Sequence, residues 1–142
     1  MSRDFNVYFC RKDYPTIEVL RGELKRAGGR VAIDDDTNFL VDEGFMPVVL
    51  DGKPTGFEVY SREIDEAYRA RHRERLRQSN ASPDDYLRIL EACDFDLNFN
   101  CKADEREVTA ARLVMTAIAT VTRGWFSDPQ TGTMVRLAPE ST

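Results

Sequence analysis

The sequence contains one histidine and three cysteines, and no apolar run approaches the roughly 20 residues needed to cross a bilayer. Each scarcity removes a class of function. With His72 alone, two-histidine metal motifs and most histidine-based catalytic constellations cannot be assembled. Cys10, Cys93 and Cys101 are too few and too widely spaced for a disulfide framework or a zinc site, and they suit reduced, mostly buried thiols in a cytoplasmic protein. No glycine-rich phosphate loop, G-x-S-x-G elbow or paired-cysteine motif is present. Asp4, Arg11, Lys12 and Asp13 bracket the only apolar stretch near the start, which leaves no core for a signal peptide. No cofactor and no metal is expected.

The remaining composition is that of one ordered domain spanning 1–142. The 142 residues are 42% hydrophobic, with eight Phe and five Tyr, which is too apolar and too aromatic for a disordered chain despite 32% charged residues. A chain of this length can bury a core without disulfides or metals. Its net charge is −5.

The sequence echoes itself. Asp4-Phe5-Asn6-Val7-Tyr8-Phe9 recurs as Asp94-Phe95-Asp96-Leu97-Asn98-Phe99, and in both copies apolar and polar residues alternate as in a strand with one buried and one wet face. A helix follows each copy. Ile17, Leu20, Leu24 and Ala27 recur at helical spacing before the stop Gly28-Gly29, while Asp104 and Glu107 precede the apolar face of Val108, Ala111, Val114, Met115, Ile118 and Val121. Strands are expected at 31–33, 45–50 and 57–60, and at 125–126 and 134–137. The turn signals are Asp51 to Gly56 and Asp128 to Gly132. This predicts an α+β fold: two β-α-β-β halves forming a mainly antiparallel sheet, helices packed on one face, and a helical middle segment over 62–93. The halves, 4–60 and 94–138, form either a pseudo-repeat or a chance match of two amphipathic strands. In the middle segment Ser82-Pro83-Asp84-Asp85 reads as a helix start after the break at Gln78 to Ala81.

Charge is unevenly placed. Residues 69–77 carry five arginines against Glu74, but on a helix alternate positions lie about 200° apart. Arg69, Arg73 and Arg77 therefore share one face and Arg71 and Arg75 nearly the opposite one, which describes a solvated helix better than a nucleic-acid stripe. Asp65 is spaced to pair with Arg69. His72 lies inside this run and reads as a surface residue. Asp34, Asp36 and Asn38 have part of a calcium-loop spacing, yet Phe39 and Phe45 stand where glycine and glutamate are needed. Asp34, Asp35, Asp36, Asp42 and Glu43, interspersed with Phe39 and Phe45, instead form an acidic and aromatic patch suited to docking on a basic protein.

Met46-Pro47-Val48-Val49-Leu50-Asp51-Gly52 with Thr55-Gly56-Phe57-Glu58-Val59-Tyr60, and the C-terminal helix leading into Trp125-Phe126-Ser127-Asp128-Pro129-Gln130-Thr131-Gly132, resemble small uncharacterised bacterial cytoplasmic proteins, among them toxin-immunity proteins. The resemblance implies a noncatalytic inhibitor that binds one cognate toxin, and it carries no functional residue over. The leading expectation is therefore a protein-binding module acting through Asp34 to Phe45. The alternatives are a small enzyme or ligand-binding domain with a cleft between the halves, and a nucleic-acid binder using the arginine helix.

Overall fold

Phe5, Val7 and Phe9 alternate with Asp4, Asn6 and Tyr8, so only an extended chain can bury the first set and leave the second on the opposite side. The computed structural model, which describes residues 3–78, 84–102, 104–128 and 133–136, forms β1 from Arg3–Phe9 and β5 from Phe95–Cys101. The two echoed strands are antiparallel neighbours, with Phe5 opposite Phe99 and Val7 opposite Leu97.

Around this pair the chain runs through α1 (Ile17–Arg26), β2 (Val31–Ala32), β3 (Gly44–Leu50), β4 (Lys53–Glu63), α2 (Glu66–Gln78) and α3 (Asp84–Ala92). After β5 come α4 (Glu105–Thr122), β6 (Trp125–Asp128) and β7 (Thr133–Arg136). The strands make one antiparallel sheet in the order β2-β3-β4-β5-β1-β6-β7, an α+β architecture. The two halves enter their hairpins differently. β4, the second strand of its hairpin, joins β5, whereas β6, the first of its hairpin, joins β1.

Local chemistry sets the boundaries. Thr16 caps α1 by accepting from Val19 N, and Gly28 and Gly29, both at positive φ, end it with Gly29 N donating to Leu24 O. Asp104 caps α4 by accepting from Arg106 N. Asp51 and Gly52 both take positive φ and close a two-residue hairpin, so β4 begins at Lys53, four residues ahead of the expected Phe57. The Ser82 cap, the break at 79–81 and the turn at 129–132 lie outside the described residues.

The main core lies on one face. Phe5, Val7, Phe95, Leu97 and Phe99 meet Leu20 and Leu24 of α1 and Ala111, Val114, Met115 and Ile118 of α4. The helical middle segment adds a smaller layer on the other face. There Ile64, Tyr68, Ile89, Leu90 and Cys93 pack on Tyr8, with Trp125 half-buried beside them. Tyr8 alternates out of the main core, and α2 and α3 are what bury it.

Gly124 makes this arrangement at the start of β6. A Cβ there would stand 2.3 Å from the Tyr8 carbonyl oxygen and 3.0 Å from Phe9 Cβ. Backbone cannot yield as a side-chain tip can, so Gly124→Ala is expected to destabilise by about 1–3 kcal/mol in urea unfolding. The control is Gly22→Ala in α1, where a Cβ meets nothing within 4 Å and a gain of about 0.5–1 kcal/mol is expected.

Candidate functional site

The polar side chains of the central strands share the second face of the sheet. Asn98 Nδ2 donates to Asn6 Oδ1 at 2.8 Å, and Asn100 donates to Asp4 beside it, so the wet residues of the echo pair across the strands. At the next position along this face Asp96 stands between Tyr8 of β1 and Arg62 of β4.

α2 closes over that end of the sheet. β4 runs almost directly into it, and Asp65 caps its first turn by accepting from Tyr68 N at 2.8 Å. Arg69 then reaches away from the cleft, donating from Nε to Leu90 O at 2.7 Å and from Nη2 to Cys93 O at 3.3 Å, at the end of α3. This corrects the expected Asp65–Arg69 pair. Asp65 spends its carboxylate on the cap, and the acid near Arg69 is Glu66, at 3.9 Å. Tyr68 and His72, one turn apart, stack with ring centroids 4.1 Å apart and face the sheet. His72 is thus half-buried, not the surface residue its arginine neighbours suggest, because its face of α2 follows Tyr68 inward.

Between these layers lies a cleft of about 320 Å³. Asn6, Tyr8, Asp96 and Asn98 form its floor, Tyr60, Ser61 and Arg62 one side, and Tyr68 and His72 its roof. Asp96 is 5% exposed. Its Oδ2 accepts from Tyr68 Oη at 3.3 Å, while its Oδ1 is buried with no hydrogen-bond partner among the described residues. Burial pushes the carboxyl from its ordinary 3.8 up to about 7, with the nearby Arg62 charge and the Tyr68 hydroxyl opposing the rise. The group is therefore poised to change charge near neutrality, and it can either accept from a donor or pass a proton.

The residues expected to dock a partner differ in exposure and in what they bond. Asp34, Asp35 and Asp36 are exposed, but Asp35 is ion-paired with Arg21. Asp42 accepts from Asn38 N at 2.9 Å, and Glu43 accepts from Ser61 N and Oγ. Phe39 is a correction. It is fully buried, its ring 5.8 Å from that of Phe99, and it offers nothing to a partner because the loop after β2 folds back to cover the core. Phe45 is 58% exposed and Val41, missing from the sequence reading, is 63% exposed.

The thiols are unsuited to nucleophilic work. Cys93 and Cys101 are buried, and burial beside Glu107 pushes Cys101 up to about 12. Burial also raises Cys10, whose Sγ donates to Ala92 O at 3.0 Å. Among the described residues no three His, Cys, Asp or Glu side chains converge as metal ligands, and no helix is long and apolar enough to cross a membrane. Comparison with family models, curated proteins and solved structures gives no match.

Proposed function

We propose that the protein binds a small polar molecule in the cleft between the sheet and α2, with Asp96 as the recognition group. The orphaned Asp96 Oδ1 carries the proposal. A buried acceptor without a donor costs about 1–3 kcal/mol, more when charged, and a ligand that donates to it recovers that cost. Strands from both halves contribute to the floor, and Tyr8, Tyr60 and Tyr68 supply aromatic surface around a few convergent polar groups, the usual make-up of a ligand site. A carboxyl poised near neutrality equally suits general acid-base work on a molecule held there.

Nuclear magnetic resonance of the isotopically labelled full chain against a library of polar fragments tests the reading. Shift changes should cluster on Asn6, Tyr8, Arg62, Asp96 and Asn98, and Asp96→Asn should abolish them. A library that perturbs none of these residues would overturn it.

A second reading follows the resemblance to immunity proteins: docking of a basic protein on the acidic loop. What favours it is the exposure of Val41 and Phe45 in the same stretch of chain, 34–45, that carries the exposed Asp34 and Asp36. Charge reversal of Asp34 and Asp36, which are exposed and whose side chains make no described hydrogen bond or ion pair, is expected to change stability by no more than about 0.5 kcal/mol. If this reading holds, the same variant with Phe45→Ala loses a basic protein that the unaltered chain retains from lysate. Equal retention by both counts against it.

A further inference from the structure

Resting on the reading of the cleft as a ligand site, we infer that the ligand is a small zwitterion, its ammonium seated on Asp96 and its carboxylate held by Arg62. Two opposite charges face the cleft from adjacent strands. Asp96 and Arg62 are directly opposed in the β4–β5 register, one buried on the floor and the other exposed at the rim. They do not pair with each other within ion-pair distance. Seven other arginines have an acidic partner, yet among the described residues Arg62 has none, and its guanidinium lies over the Tyr68 ring at 5.8 Å.

The charge arrangement selects the ligand class. A purely cationic molecule would satisfy Asp96 but meet the Arg62 charge unopposed, and a purely anionic one would do the reverse beside the buried carboxyl. A zwitterion answers both. The same cleft is lined by the rings of Tyr8, Tyr60 and Tyr68, against which methylenes and an ammonium are both favourable. Its volume of about 320 Å³ lies at the small end of the range for ligand pockets, which suits a molecule as small as a free amino acid.

Seating an ammonium requires Asp96 to be ionised. The charged and titratable groups facing it are Tyr8 from β1, Tyr60 and Arg62 from β4, and Tyr68 and His72 from α2. Because burial holds its proton on to about pH 7, binding at pH 6 should release close to one proton and binding at pH 9 almost none. The release should persist in His72→Gln.

Isothermal titration of the full chain with glycine, β-alanine and the longer ω-amino acids through 6-aminohexanoate tests the inference. The matching alkylammonium and carboxylate serve as single-charge probes. The best zwitterion should bind at least about tenfold more tightly than either. Arg62→Gln should remove its advantage over the alkylammonium, and Asp96→Asn its advantage over the carboxylate. Equal binding of a single-charge probe, equal weakening of all probes by both variants, or no binding by any zwitterion would overturn the inference. If other fragments still perturb Asp96 and Asn98, only the ligand class falls. If nothing perturbs the cleft, the ligand-site reading falls with it.

Discussion

Asparagine in place of Asp96 is expected to stabilise the protein at pH 8.5 by up to about 4 kcal/mol and to leave it nearly unchanged at pH 4. The folded carboxyl titrates at about 7, against 3.8 in its ordinary state. The folded state therefore holds the proton more tightly than the unfolded one. The stability this contributes is complete below pH 3.8 and is lost as pH rises through 7, at about 1.4 kcal/mol for each unit between the two values. Asparagine keeps the shape of the protonated acid and cannot ionise. In a chain of this size the gain corresponds to roughly 10 °C in Tm. The quantity to measure is the difference in Tm between the variant and the unaltered protein from pH 4 to 8.5, since other groups titrate in both. A difference that stays flat would mean that Asp96 is solvated or paired. A protein that keeps such a carboxyl forgoes stability at neutral pH, as functional sites commonly do.

The second large effect lies on the opposite face. Phe99→Ala is expected to destabilise by about 3–5 kcal/mol. Phe99 is fully buried in the central strand β5, opposite Phe5 and Val59 on its two neighbours, with its ring 5.1 Å from Phe57 and 5.8 Å from Phe39. Truncation would leave a cavity bounded by three strands, the Phe39 loop and α4, none of which can collapse into it without breaking sheet register. Urea unfolding measures it directly. A loss below about 1 kcal/mol would mean that the loop carrying Phe39 closes the gap, and that β5 is not the centre of the core.

The main core was legible because each echo strand alternates strictly. Phe5, Val7 and Phe9 and their counterparts Phe95, Leu97 and Phe99 all lie inward, and the pattern following each names a helix that covers them. The same alternation concealed the cleft. Asp96, Asn98 and Asn100 read as a wet face, and Asn98 and Asn100 do remain half-exposed, but Asp96 is covered by α2. Nothing local to strand 95–101 signals that cover, since it comes from residues nearly thirty positions earlier. The available signal was the pair Tyr68 and His72, spaced one turn apart with Ile64, which marks an inward stripe on a helix whose charge otherwise reads as solvated. Phe39 misled in the other direction. Its acidic neighbours are exposed, and a single aromatic among them gives no sign of which way it turns.

Asp96 is a buried carboxyl with an oxygen left for a ligand to use, and carbon-13 observation of its side-chain carboxyl through a pH titration tests that most directly. A midpoint near 7 that falls when a cleft ligand is added is the predicted result. A midpoint near 4, unmoved by any ligand that binds, would contradict it.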